Sequence, residues 1–257
     1  MYFVSKPNTD AFNFLDAAGI TRTDNNSAII KGIADLTTDL KSYGIWDKMK
    51  AIYPMVGGTA DTHKFNLKDP RDTESAFRLA FSGSWIHSST GAKPAGTSGT
   101  YADTYLKPST QLTNRNVHIS YYARAGSTGG EVSLIGTTGG QIAGAIEHNV
   151  YGNNKIYSTL GGARIDITIG SFLVFHTLTS LDGSTNGMRA YTNGILRGTA
   201  TNNSSGLANT NMLLANGYRP SPYECAFASI GDGLTDTEAA NFYTAVQRFQ
   251  TTLGRQV

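Results

Sequence analysis

Hydrophobic and polar residues alternate over short stretches through most of this chain. They recur at helical spacing only near its two ends. Near the start, Ile29, Ile30, Ile33, Leu36 and Leu40 lie on one face of a helix. Asp24, Asn25 or Asn26 can cap that helix and Gly44 can stop it. "IWDKMKAIYP" reads as a further short helical turn ending before Pro54, so residues 26–52 are predicted as a helical lead-in. At the other end, "GLTDTEAANFYTAVQRFQTTLG" spans residues 233–254. Thr235 and Glu238 have the spacing of a capping box. Ala239, Phe242, Tyr243, Val246, Phe249 and Leu253 form one apolar stripe, and Gly254 suits a left-handed helix end.

Between these helices the texture is different. "AFRLAFSG", "HISYYARAG", "GEVSLIGTT", "SFLVFHTLTS", "GMRAYTNGILRGTA", "NTNMLLANG" and "ECAFASIGDG" are short apolar or alternating runs separated by turn residues. That pattern predicts an antiparallel sandwich or barrel. Asn193-Gly194 predicts a tight hairpin, because both residues tolerate the positive φ of a type I′ turn. Residues 88–100 ("SSTGAKPAGTSGT") and 199–211 read as the two most flexible loops. Residues 1–14 mix Tyr2, Phe3, Phe12 and Phe14 with Pro7 and Asn8. Two readings fit them: a segment packed on its own domain, or an arm that docks on another subunit.

At 257 residues the chain can bury a sizeable core. The single cysteine, Cys225, rules out an intrachain disulfide and sits in an apolar run as a small core residue. With 21 Lys and Arg against 19 Asp and Glu and no basic run, nucleic-acid binding has little support. No apolar stretch is long enough to span a membrane. The N-terminal residues lack the basic and apolar regions of a secretory signal, so the expectation is synthesis in a cytoplasm. The 29 glycines and many Ser, Thr and Asn residues predict a polar, weakly charged surface, suited to sugars or to neighbours in an assembly.

The runs from about 74 to 231 resemble the concanavalin A-like lectin/glucanase superfamily, in its laminin-G-like and pentraxin-like branch. "VHISYYARAG" looks like an early strand of that branch. "SFLVFHTLTSLDGSTNGMRAYTNGILRG" looks like its most regular strand pair, and "AFASIGDGLTDTEAANFYTAVQRFQTTLG" like its closing strand, loop and helix. That ending, together with "DLKSYGIWDKMKAIYPMVGGTADTHKFNL", resembles laminin-G-like proteins of bacteriophage virions, often tail or fibre proteins. The resemblance covers residues 15–257 loosely. It implies a jelly-roll β-sandwich over residues 57–257, closed by a C-terminal helix and preceded by an N-terminal arm and helical lead-in over residues 1–56. Trimers are common among phage fibres, so a homo-oligomer is the family-level expectation.

The glucanases of this superfamily place acids in the pattern Glu-x-Asp-x-x-Glu on one strand, where alternate residues share a face. Here the acids between 110 and 225 are Glu131, Glu147, Asp166, Asp182 and Glu224, no two within ten residues. "DPRDTE" groups Asp69, Asp72 and Glu74, an oxygen-rich turn of the kind that can hold calcium, but Lys68 and Arg71 already offset its charge. The five histidines form neither HxH nor HExxH, so no metal site is expected. There is no nucleophile elbow or phosphate loop, and no cofactor is expected. Sugar binding needs an aromatic face and a few planar polar groups. "GSWIHSSTG" and "TYADTYL" bracket the longest loop and offer Trp85, His87, Tyr101, Asp103 and Tyr105, although Trp85 also reads as core. "EHNVYGNN" offers His148, Asn149, Tyr151 and Asn153.

The resulting expectation is a non-enzymatic protein of a phage virion surface, adhering to host glycans or decorating the particle. Its partners would be other virion proteins and host surface glycans. A purely architectural role without sugar binding is the alternative. A secreted hydrolase or lectin of cellular origin would call for a signal peptide, and a hydrolase also for a carboxylate pair.

Overall fold

A computed structural model describes residues 8–138, 146–151, 155–160, 163–182, 184–204 and 206–257, with the backbone alone described at 146–147, 151 and 155–160. The helices are α1 (Thr9–Ala17), α2 (Ser27–Ser42), α3 (Ala60–His63), α4 (Pro108–Gln111) and α5 (Asp236–Thr252). The first strands are β1 (Met49–Tyr53), β2 (Ala80–Ser82), β3 (Trp85–Ser88), β4 (Gly91–Pro94), β5 (Tyr101–Asp103), β6 (Val117–Ala123), β7 (Val132–Thr137) and β8 (Ile146–Tyr151). They are followed by β9 (Lys155–Leu160), β10 (Ala163–Thr168), β11 (Phe175–Ser180), β12 (Met188–Thr192), β13 (Ile195–Ala200), β14 (Met212–Leu214) and β15 (Cys225–Gly231).

The strands form two antiparallel sheets, a jelly-roll sandwich. One runs β13-β12-β11-β6-β15-β4-β3, with β1 also paired to β15; the other runs β10-β9-β8-β7-β14-β5-β2. The faces turned toward each other share one apolar core, including Ile119, Tyr121, Leu178, Ile135 and Leu214. A second apolar core lies on the far side of the first sheet. There Tyr122, Phe175, Tyr191 and Phe227 pack beneath α1, α2 and α5.

That second core explains the closing helix. Its stripe buries Ala239, Phe242, Ala245, Val246 and Phe249. Phe242 meets Phe175 and Phe227 at ring-centroid distances of 5.4 and 6.0 Å. Thr235 and Glu238 make the expected capping box, and Gly254 takes a left-handed φ of +64°. The α2 helix crosses α5 closely at Gly32, where a Cβ would stand 3.1 Å from the Phe249 ring. The Asn193-Gly194 hairpin also forms, with φ of 49° and 71° and Thr192 opposite Ile195.

Several expectations are corrected. "IWDKMKAIYP" is one 3₁₀ turn followed by β1, whose Ile52 and Tyr53 face Ser229 and Ala228 of β15. The sandwich therefore begins at residue 49, inside the expected lead-in of residues 1–56. The expected loop 88–100 contains β4 and the hairpin that joins it to β3. Residues 8–14 largely belong to α1, with Phe14 buried in their own domain, so for them an arm docked elsewhere is ruled out; Tyr2 and Phe3 lie outside the described residues.

Because helices cover the first sheet and the second sheet covers its inner side, β6, β11 and β15 are buried along their whole length. In the second sheet β7 and β14 are buried along their length as well, whereas β2, β5 and β10 keep residues partly or fully exposed. Accessible side chains lie on those strands and along the sheet edges.

Candidate functional site

On β5, alternation sends Ala102 into the core and turns Tyr101 and Asp103 outward. Asp103 stands opposite Leu213 of β14 and Ala80 of β2. Its two carboxylate oxygens are both engaged. Oδ1 accepts from the Tyr105 amide at 2.8 Å, and Oδ2 accepts from Asn211 Nδ2 at 3.0 Å. The first of these bonds holds Tyr105 in the left-handed region, at φ 56°. Phe77 is held there as well, at φ 59°. Non-glycine residues adopt this region at a cost of about 1 kcal/mol or more, and such strain concentrates where side chains must be aimed.

Phe77 and Tyr105 both line a hollow of about 600 Å³, with Glu74, Lys107, Gln111 and Asn211. The Tyr105 hydroxyl is held above its usual pKa by partial burial and by the nearby Glu74 carboxylate. The Arg78 guanidinium lies 5.6 Å from the Tyr105 ring centre. A second hollow, of about 320 Å³, is lined by Tyr101, Asp103, Thr138, Leu213, Asn216 and Gly217. Asp103 lines one hollow and Asn211 the other, so their hydrogen bond forms the bar between the two. Asn211 Oδ1 is buried and has no donor among the described residues. Turning the amide over would set that oxygen against the Asp103 carboxylate, so the observed orientation is the stable one.

Trp85 and His87 lie elsewhere and do not converge with the tyrosines. They are on β3, at the edge of the first sheet. Trp85 packs edge-on against Phe81 at 5.1 Å, flanks the main core, and donates Nε1–H to the Ser82 carbonyl at 2.9 Å. It shares a separate cleft of about 260 Å³ with Ile86, Pro94 and Pro222. Trp85→Ala should therefore destabilise the fold by about 3 kcal/mol. A urea titration checks this, and an unchanged midpoint would place the indole outside the core.

His87 Nδ1 lies 2.9 Å from His63 Nδ1. The Gly58 amide donates to His63 Nε2 at 3.3 Å, so the neutral His63 carries its proton on Nδ1 and donates it to His87. His148 is also withdrawn from the candidate surface. It is only 2 % exposed and bridges the two sheets through Nε2, 3.0 Å from His176 Nδ1. Asn149 points the other way but is buried, on a strand whose neighbour Ser133 is covered by the amides of Tyr218 and Arg219. The Tyr151 side chain and Asn153 lie outside the described residues.

Two arrangements that look chemical are structural. His118 Nε2 lies 3.0 Å from Ser229 Oγ, which lies 2.7 Å from Ser120 Oγ, while His118 Nδ1 donates to the Asp232 carbonyl. All three side chains are buried beneath α5, so no substrate reaches them. In the "DPRDTE" turn, Asp69 pairs with Arg71, and Asp72 with Lys64 and Arg78. Both of its aspartates are thus already partnered. Cys225 is fully buried, and burial pushes its thiol up to about 12. Among the described residues no helix is long and apolar enough to cross a membrane.

No family model matches the sequence, and no curated protein matches it. Solved structures do share its fold. Domain 4 of AbnA, a GH43 extracellular arabinanase from Geobacillus stearothermophilus, solved with arabinotriose, superposes with a TM-score of 0.53 at 14 % identity, over 76 % of this chain and 98 % of that one. The binding domain of botulinum neurotoxin serotype G gives 0.53 at 14 % identity, over 76 % and 50 %. A mutant Trypanosoma rangeli sialidase displaying trans-sialidase activity gives 0.55 at 10 % identity, over 87 % and 39 %. This chain thus spans half or less of the last two. At these identities the likeness is one of fold, and the fold is a lectin-like β-sandwich.

Proposed function

We propose that this chain is a non-catalytic carbohydrate-binding protein of a bacteriophage virion surface, assembled in the host cytoplasm and used to hold host glycans or to decorate the particle. The observation that carries the sugar-binding part is the pair of hollows along β5. They combine two tyrosines with amide and hydroxyl groups, and two strained residues aim side chains into one of them. One fold neighbour was solved with a bound arabinotriose, which supports the same reading. The virion placement rests on the sequence resemblance of the lead-in and of the closing helix.

The test is a glycan array that includes host surface polysaccharide, read with Tyr105→Asn beside the parent protein. Asn tolerates the left-handed backbone at this position, so the variant removes the ring without adding strain. Binding should weaken about tenfold, equivalent to ~1.4 kcal/mol, at an unchanged melting temperature.

A purely architectural role is the second reading. It is favoured by the exposed apolar residues Ile86, Ile195 and Leu196 on the edge strands of the first sheet, 69, 56 and 44 % exposed. In that case other virion subunits, or further copies of this chain in a homo-oligomer, would cover those edges. A folded protein that stays silent on the array would favour this second role.

A further inference from the structure

We infer that the paired hollows take an internal stretch of an uncharged polysaccharide chain, at least two rings long. The inference rests on the carbohydrate-binding reading above and names the ligand class for that same site.

In the second hollow the only charged side chain among the described lining residues is Asp103, a carboxylate. An anionic sugar placed there would meet a like charge. In the first hollow, Glu74 and Lys107 offset each other. The nearby Arg78 guanidinium is already set against Asp72 at 3.5 Å and against the Tyr105 ring. It is therefore not a free fork for a ligand carboxylate, the group that best recognises one. Lys107 is exposed and has no ion pair among the described residues, so one solvated ammonium would stand alone against Glu74 and Asp103. A cationic sugar gains little either. Its ammonium would meet the Asp103 carboxylate, but each of those oxygens already accepts a hydrogen bond, from Tyr105 and from Asn211, so the contact would compete with the bar between the hollows. What is left for a ligand is uncharged: the rings of Tyr101, Tyr105 and Phe77, the amides of Asn216 and Gln111, and the Thr138 hydroxyl.

Tyr101 and Asp103 are two residues apart on β5, a rise of about 7 Å. Tyr105 follows on the far side of Asp103. The two rings therefore serve different hollows, which meet at the Asp103–Asn211 bar. A single sugar ring can use one tyrosine, whereas a chain crossing the bar uses both.

The test measures binding of the purified full chain to neutral polysaccharides (laminarin, mannan, arabinan), acidic ones (polygalacturonate, hyaluronate) and cationic chitosan. Each is measured at about 0.05 M and about 0.5 M salt. At least one neutral polysaccharide should bind, with a Kd that moves less than about twofold with salt. Its oligosaccharides should bind more tightly than the single sugar. Tyr101→Thr and Tyr105→Asn should each weaken the long chain about tenfold, with unchanged melting to show that both variants fold.

Binding confined to the charged polymers, weakening about tenfold or more with salt, would overturn the inference and leave the carbohydrate reading standing. So would a monosaccharide that competes as well as the chain. A folded protein that binds none of the six ends the carbohydrate reading itself, and this inference with it.

Discussion

Acidification from pH 7 to pH 5 should remove roughly 8 kcal/mol of folding stability from this protein, enough to unfold it. The cause is four histidines held neutral in the interior. Burial, and then the neighbouring His87 and Arg255, push His63 down to about 3. Burial pushes His118 and His176 down to about 4, against partial support from the backbone carbonyls they face. His148 lies well below its ordinary value through burial and through His176 beside it.

The sign follows from proton linkage. These groups bind protons more weakly when folded than when unfolded. The stability they confer is complete above about pH 6.5 and is lost as pH falls from there toward their folded values. At pH 5 each unfolded histidine is stabilised by about 2 kcal/mol through its proton, and four together match a typical domain's whole stability. Asp69, Asp182 and Glu238, whose pKa values are lowered by hydrogen bonds to Arg71, Ser184, Lys48 and Thr235, add losses only at still lower pH. Denaturant titrations between pH 8 and pH 5 measure this directly. A plateau above neutrality and a steep fall below it is the expected curve, whereas stability that stays level down to pH 5 would refute the assignment. His118→Gln, which keeps a donor and an acceptor but no titrating ring, should reduce the slope by about one proton.

The second large effect is expected at Arg255. It follows the left-handed Gly254 that ends α5, and it is among the largest fully buried side chains. Its guanidinium reaches no carboxylate within ion-pair distance among the described residues. It donates instead to carbonyl oxygens of Pro54 at 2.6 Å, Met55 at 2.7 Å and Ala226 at 2.8 Å, and to Gln250 Oε1 at 2.6 Å. Burial lowers its pKa to about 9. One side chain thereby ties the segment after β1, strand β15 and the C-terminal end of α5 together.

Arg255→Met keeps most of the stem but leaves those buried acceptors without a donor. Each orphaned acceptor costs about 1 kcal/mol or more, so a loss of about 3–5 kcal/mol is expected. Arg255→Lys should recover only part of it, because a single ammonium cannot reach acceptors arranged around a planar fork. Urea midpoints at pH 7 test both variants. A loss below about 1 kcal/mol for Arg255→Met would mean that the carbonyls find water instead.

Much of the site was half-legible. Tyr101 and Asp103 are two apart on a strand and had to share a face, and Tyr105 completes the first-named group. Trp85 and His87 looked equivalent to them in the sequence, but the chain crosses from the second sheet to the first between Ser82 and Trp85. Phe77, Asn211 and Asn216 came into view only with the fold, and Glu74, legible only as part of an acidic turn, joined them there. They come from segments separated by up to 142 positions, and no local pattern links them. Nor does any local pattern say that His148 turns inward while Asn149, one residue on, turns outward.

What the sequence determined by itself is local chemistry with a local partner. The Thr235–Glu238 box lies within one helical turn, the Asn193-Gly194 hairpin within four residues, and the α2 and α5 stripes within one helix each. In each, the groups that stabilise the element are neighbours along the chain, so spacing alone shows them. The tertiary structure decided β1, the β3–β4 hairpin and the inward turn of the histidines. "IWDKMKAIYP" can satisfy its backbone as helix or as strand, and the deciding hydrogen bonds come from β15, about 180 residues away. The same holds for the hollows along β5: Tyr101 and Asp103 are left partly exposed there while α1, α2 and α5 pack on the aromatic side of the other sheet.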